Sequence, residues 1–259
     1  MCGIFGIAKK KNAQTEYELK QLERVLTKLT ALSVVRGEHS TGLAFISNGK
    51  NPMIFKSLKK SSNLVKHRDW DTIIEELTPE TSVVLGHTRW KTHGKITLEN
   101  AHPFHIGSVI GTHNGMIHNH RDISVNKKEV YEVDSQAVFA LFDSNSNLQE
   151  CLDEIYGDYA LAWNKGNRDI LHLLKEKGRP CYFGYWKEAR VLLYASQQDI
   201  LEEAIKGTEI SMKIYELKND TLYTIDTSKF DRKINFTKKL YDTNVIASNY
   251  MLETNYFGG

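Results

Sequence analysis

At 259 residues with a formal net charge of +2 and 25% charged residues, the chain has no strong field with which to recruit nucleic acid or an anionic membrane surface. No stretch approaches the roughly 20 apolar residues that span a bilayer, and the start lacks the basic flank and apolar core of a secretory signal, so a cytoplasmic protein is expected. The three cysteines, Cys2, Cys151 and Cys181, are widely spaced and fit neither a disulfide framework nor a paired-cysteine metal site.

The chain opens Met1-Cys2-Gly3 and runs into Ile4-Phe5-Gly6-Ile7-Ala8, which reads as a buried strand. Cysteine is small enough for methionine aminopeptidase to remove the residue before it. A chain beginning at Cys2 would carry a thiol and a free α-amine of ordinary pKa near ~8, nucleophile and base in one residue. Gly3 would let the backbone approach a substrate closely. Read alone, Cys2 is equally an ordinary small second residue.

Leu19, Leu22, Val25, Leu26, Leu29 and Leu32 then recur at helical spacing, and Thr15 with Glu18 fits a capping box. A turn-rich stretch from Arg36 to Gly42 leads to a strand over residues 43–47, ending at Asn48-Gly49, with a hairpin partner near residues 52–57. Residues 61–77 read as helical and residues 82–86 as a strand that delivers the chain to His87. The densest chemistry follows: His87-Thr88-Arg89-Trp90-Lys91-Thr92-His93-Gly94, then Asn100-Ala101-His102-Pro103, then a strand over residues 108–112 leading into His113-Asn114-Gly115. Polar side chains at strand ends and in loops are placed where a rigid scaffold can present them to a ligand. Helices are expected over residues 134–142 and 148–155. Strands at 159–163, 170–174, 181–185 and 191–195, a helix at 198–205 and a hairpin pivoting near Asn219-Asp220 complete the body. Strands at both ends with helices between them fit a layered α+β domain over residues 2–226. Residues 227–259, ending in Gly258-Gly259, read as a C-terminal extension and a candidate partner-binding segment.

Each of these polar residues has an ordinary reading. Asn114-Gly115 is a hairpin turn signal, Arg89 a surface ion-pair partner, Asp134 a helix N-cap and Trp90 a core aromatic. His87, His93, His102, His105, His113, His118 and His120 crowd together, but acidic and cysteine ligands at metal-site spacing are missing, so no metal is expected.

Taken in order, Cys2-Gly3-Ile4-Phe5-Gly6-Ile7, Arg36-Gly37 with Ser40-Thr41-Gly42, the His87 to Gly94 block, Asn100-Ala101-His102-Pro103, His113-Asn114-Gly115 and Asp134 resemble the glutaminase domain of class II glutamine amidotransferases. That family belongs to the N-terminal nucleophile hydrolases. The likeness covers about residues 2–226 and is nearest to the glutaminase half of glucosamine-6-phosphate synthase. It implies a four-layer αββα sandwich and hydrolysis of L-glutamine to glutamate and ammonia without a cofactor. Cys2 would attack the side-chain amide, with its own α-amine moving the proton. Asn114 and the Gly115 N–H would stabilise the oxyanion. Arg89 offers a planar fork for the substrate carboxylate and Asp134 the opposite charge for its ammonium. Trp90, Thr92 and His93 match a loop that closes over glutamine in relatives, and Arg36, His102 and His113 would support the site.

The sequence departs from the family pattern in three places. His39 stands where an aspartate is common, Lys91 replaces a small residue, and no acceptor-binding synthase domain follows residue 226. The expectation is a stand-alone glutaminase passing ammonia to a separate synthase or acceptor subunit. The alternatives are an amidase of this fold acting on another γ-glutamyl amide, and a non-catalytic interaction module.

Overall fold

The computed structural model describes residues 1–91, 94–126, 128–231, 234 and 236–241. Strand β1 (Gly3–Lys9) is buried along its whole length. Successive side chains point to opposite faces of a strand. Phe5 and Ile7 therefore enter one core while Ile4 and Ala8 enter another. A strand covered on both faces needs a continuous apolar run, which is what its sequence supplies.

Helix α1 (Glu16–Leu32) starts at the expected capping box: Thr15 Oγ1 accepts the Glu18 N–H at 3.2 Å and Glu18 Oε2 accepts the Thr15 N–H at 2.7 Å. It buries Leu22, Val25, Leu26 and Leu29, each worth about 1.5–3 kcal/mol of transfer free energy. A 3-10 turn, Ser33–Arg36, leads to β2 (Ser40–Ile46) and its hairpin partner β3 (Met53–Ser57). The helical stretch expected over residues 61–77 is broken into α2 (Ser61–Leu64) and α3 (Asp69–Ile74). Strand β4 (Val83–Arg89) runs three residues past its expected end, so His87, Thr88 and Arg89 are strand residues.

Two short elements that composition did not reveal come next, β5 (Phe104–Ile106) and, after β6 (Val109–Ile117), α4 (His120–Asn126). Helices α5 (Asp134–Ser144) and α6 (Leu148–Asp153) precede β7 (Gly157–Lys165), β8 (Ile170–Lys175), β9 (Tyr182–Trp186) and β10 (Val191–Ala195). Helix α7 (Gln198–Ile205), β11 (Ile214–Glu216), β12 (Thr221–Asp226) and β13 (Phe236–Leu240) follow.

The strands form two antiparallel sheets, ordered β11-β9-β10-β1-β4-β2-β3 and β13-β12-β8-β7-β6-β5. Three apolar layers hold them together. One lies between the first sheet and α1, α2, α3 and α7, a second between the sheets, and a third between the second sheet and α4, α5 and α6. This is the four-layer αββα sandwich.

The ordinary turn reading of Asn114-Gly115, set aside in favour of the resemblance, does not apply, and the hairpin expected at Asn219-Asp220 is corrected. Asn114 and Gly115 lie inside β6, opposite Ala160 and Tyr159 of β7, and make no hairpin turn. Asp220 has the left-handed φ of 54° that its turn signal demands, yet the strands on either side do not pair. Strand β11 joins β9 in one sheet, and β12 joins β8 and β13 in the other. Because β13 pairs with β12, the second sheet continues past residue 226. Residues 242–259, including Gly258-Gly259, lie outside the described residues.

Candidate active site

The candidate site forms where the start of β1 meets the end of β4. Gly3 stands opposite Thr88 in the sheet, which places Cys2 beside the residues that follow Arg89. The partly exposed Cys2 thiol donates to the Trp90 carbonyl at 3.4 Å and accepts the Trp90 N–H at 3.3 Å. Burial pushes the thiol pKa up, the Asp134 carboxylate adds to the rise, and the Trp90 N–H, the terminal amine and Arg89 oppose it. The thiol is therefore protonated at neutral pH and needs a base to become a nucleophile.

Gly3 is small for a local reason. A Cβ there would lie 2.7 Å from Cβ of Arg36 and 2.8 Å from the Thr88 hydroxyl, so the space is taken by protein side chains rather than reserved for a substrate. Arg36 is buried and donates from Nε to the Cys2 carbonyl at 3.3 Å, fixing the backbone of the nucleophile.

Arg89 is buried rather than part of a surface ion pair, and donates from Nη1 to the Lys95 carbonyl at 2.9 Å. Asp134 is the first residue of α5, not its N-cap, which is Val133. Its Oδ2 accepts the Ile117 N–H and its Oδ1 the Ser135 N–H, both at 2.9 Å. A carboxylate at a helix N-terminus is favoured by the helix dipole, and two such bonds leave lone pairs for a further cation. Trp90 is 45% exposed, which rules out the core reading. Thr92 and His93 lie outside the described residues.

Asn114 is fully buried, and among the described residues neither its Nδ2 nor its Oδ1 has a hydrogen-bond partner. Buried amides are nearly always paired, so an orphan is a mark of function or strain. At Gly115 a Cβ would fall 2.0 Å from the Asp158 carbonyl, so only glycine fits. His113 holds this segment from behind: its Nδ1 pairs with Ser135 Oγ at 2.8 Å and its carbonyl accepts from His87 Nε2 at 2.9 Å. The His87 ring stacks on His102 at 3.9 Å, and His102 meets Phe104 edge-on at 4.4 Å. Among the described residues no cluster of histidine, cysteine, aspartate or glutamate could hold a metal ion.

His39, the departure in the turn, is an anchor that the sequence does not announce. Its Nδ1 accepts the Lys91 N–H at 2.8 Å, its own N–H reaches the Arg89 carbonyl at 2.9 Å, and its ring lies 5.0 Å from Trp90. The imidazole thus ties the β4 exit, and with it the backbone that holds Cys2, to the turn before β2.

The buried histidines make stability depend on pH. Desolvation pushes His87 down to about 3 and His102 well below its ordinary range, so both are neutral when folded. The unfolded chain binds their protons below about pH 6.5, so stability is complete above that value and falls as pH drops. Between pH 6.5 and 5 His87 should cost about 1.6 kcal/mol, less than the full ~1.4 kcal/mol per pH unit because the unfolded imidazole is already half protonated at pH 6.5, and His102 adds to the loss in the same direction. Urea midpoints at pH 7 and pH 5 should differ accordingly, and His102→Gln should flatten the slope.

Comparison with solved structures places this fold. A structure titled as the allosteric regulatory enzyme of purine biosynthesis superposes with a TM-score of 0.69 at 16% identity, covering 94% of this chain and 50% of that one. Glutamine phosphoribosylpyrophosphate amidotransferase from B. subtilis gives a TM-score of 0.67 at 16% identity with the same coverage. The chain shares its fold with both. Residues 41–247 match the family model described as a glutamine amidotransferase domain, and the chain belongs to the class II glutamine amidotransferase family. Glutamine-fructose-6-phosphate aminotransferase (isomerizing) of Fusobacterium nucleatum is 34% identical over 178 residues, 62% of this chain and 26% of the relative. The enzyme of the same name from Wigglesworthia glossinidia brevipalpis is 28% identical over 255 residues, 91% of this chain and 38% of the relative. The chain thus spans well under half the length of these relatives. No helix among the described residues is long and apolar enough to cross a membrane.

Proposed function

We propose that this chain hydrolyses L-glutamine to glutamate and ammonia through a thioester on Cys2, exposed as the first residue by removal of Met1. The observation that carries the reading is the setting of the Cys2 thiol. It is held by both backbone groups of Trp90 and lies within electrostatic reach of Arg89 and Asp134, the two charges that fit an amino-acid head group.

The α-amine of Cys2 takes the thiol proton, and Sγ attacks the substrate side-chain carbonyl. Negative charge gathers on its oxygen, where the Asn114 amide and the Gly115 N–H are the donors. Collapse expels ammonia with the same proton, leaving the acyl-enzyme, and water releases glutamate by the reverse sequence. Arg89 pairs with the substrate carboxylate and Asp134 with its ammonium, while the exposed Trp90 covers the bound amino acid. Arg36, His102 and His113 hold the frame. Relatives named for aminotransfer to fructose 6-phosphate support a fate for the ammonia other than release, and we assign its use to a separate synthase or acceptor partner.

Intact mass and glutamine-dependent ammonia release, before and after labelling with 6-diazo-5-oxo-L-norleucine, test the reading. Loss of Met1, turnover and a single label on Cys2 that ends turnover are expected. A processed protein that neither turns over nor takes the label, with or without its partner, would overturn it. Turnover of N-blocked γ-glutamyl amides in preference to free glutamine would favour the broader amidase.

A further inference from the structure

The two charges that fit an amino-acid head group sit on different elements, Arg89 at the end of β4 and Asp134 at the start of α5. A head group is selected well only if the separation of such a pair is fixed. Arg89 is anchored through a loop residue: its Nη1 and Nδ2 of the buried Asn100 both donate to the Lys95 carbonyl, at 2.9 and 3.2 Å. The Lys95 N–H in turn donates to Glu132 Oε1 at 2.7 Å. Gly94, just before it, has a left-handed φ of 68°. A Cβ there would lie 3.1 Å from Asn100 Nδ2 and 3.2 Å from Glu132 Cγ, so the backbone passes close against both. Both backbone groups of Lys95 are thus taken by side chains, and the residue bridges Arg89 to Glu132. Glu132 lies two residues before Asp134, separated from it by Val133, the buried N-cap of α5. The Glu132 carboxyl is held below its ordinary range, first by the Asn100 side chain and then by the Lys95 N–H. It is therefore ionised at neutral pH, and its bond to Lys95 is charge-assisted.

We propose that Glu132 is a positioning residue for head-group recognition: by holding the Lys95 backbone it fixes the carbonyl to which Arg89 is bound, and so sets the Arg89 guanidinium at a constant distance from Asp134. This rests on the reading of Arg89 and Asp134 as the ligands of the substrate carboxylate and ammonium. One short segment then governs both ends of the head group, Asp134 by direct contact and Glu132 through Lys95. The bond could instead do no more than order an exposed stretch of backbone. The two roles differ in what they change, since a clamp on Arg89 alters the binding of molecules that carry a head group and leaves the thiol alone.

The test uses the full chain with Met1 removed, verified by intact mass. It has three readouts: kcat and KM for glutamine, calorimetric affinity for L-glutamate, and labelling rates of Cys2. The labels are 6-diazo-5-oxo-L-norleucine, which carries the head group, and iodoacetamide, which carries none. For Glu132→Ala we expect KM to rise on the order of 10-fold with kcat within about threefold, the signature of lost ground-state positioning. Glutamate affinity and labelling by the diazo ketone should fall in proportion, while the iodoacetamide rate stays within about twofold of wild type. Glu132→Gln keeps an oxygen for the Lys95 N–H and should hold KM within about threefold of wild type. Glu132→Asp keeps the charge but falls a methylene short, and should behave like the alanine variant.

Wild-type KM and glutamate affinity in folded Glu132→Ala would overturn the clamp. So would an equal loss of both labelling rates, which would mean general damage to the site. If Glu132→Ala lowers the melting temperature, the other two variants decide: a tight Glu132→Asp beside a weak Glu132→Gln would show that charge acts rather than reach, and the clamp fails. A wild type inert toward glutamine that still binds L-glutamate in a Glu132-dependent way would sink the glutaminase reading while supporting the clamp. Turnover with an affinity that ignores Glu132 would do the reverse, and a wild type that neither turns over glutamine nor binds glutamate would remove both.

Discussion

Cys2→Ala should reduce glutamine-dependent ammonia release by at least ~10⁴-fold, the scale on which loss of a covalent nucleophile is felt. Its thermal stability should stay within about 0.5 kcal/mol of the parent. The two outcomes separate because the thiol's hydrogen bonds among the described residues go to the backbone of Trp90, and the residue sits at a partly exposed chain end. Cys2→Ser should fail nearly as badly, since a hydroxyl is a far weaker nucleophile in the same place. Neither remaining cysteine can substitute. Cys151 is buried in the helical layer, and burial pushes the Cys181 thiol up to about 12. A glutamine-like electrophile should therefore label the wild type once and Cys2→Ala not at all, as read by intact mass. Residual turnover of Cys2→Ala within tenfold of wild type would remove Cys2 from the chemistry.

The same residue shows how far the sequence could be read. The strand behind Cys2 was legible because a strand buried on both faces must be apolar throughout, and α1 was legible because Thr15 and Glu18 announce its first turn. Helix α7 begins and ends at the residues its pattern gave. What failed was local chemistry overridden by partners distant in sequence. Asn114-Gly115 carries a turn signal, but pairing with Ala160 and Tyr159 keeps it extended, and the close approach of the Asp158 carbonyl explains the glycine. Asn219-Asp220 does turn, yet no short-range feature states that the strands on its two sides belong to different sheets.

In the candidate site, Cys2, Arg36, Arg89, His113, Asn114 and Asp134 were visible as types in family order. The contacts of His39 were not, because they run to backbone groups far along the chain and an isolated histidine carries no spacing that betrays it. The one signal was its departure from the family's turn pattern.

Asn114→Ala should lower kcat by ~10²–10³ while changing KM by less than about threefold, because an oxyanion donor acts on charge that exists only in the transition state. The structure adds a second expectation that a purely structural asparagine would not share. A buried amide that bonds its neighbours costs stability when truncated, whereas Asn114 has no partner among the described residues for either side-chain atom. Removing it releases two desolvated polar atoms and opens only a small cavity, two effects of opposite sign and similar size. The urea midpoint of Asn114→Ala should therefore equal or exceed that of the wild type while the rate collapses. Asn114→Asp separates shape from charge, since a buried carboxylate of the same outline repels the developing oxyanion and should be at least as slow as the alanine variant. A stable Asn114→Ala with kcat within threefold of wild type would move the oxyanion donor elsewhere on β6. A destabilised variant would instead mean that the asparagine holds the strand, and that its orphaned amide serves the fold before it serves the reaction.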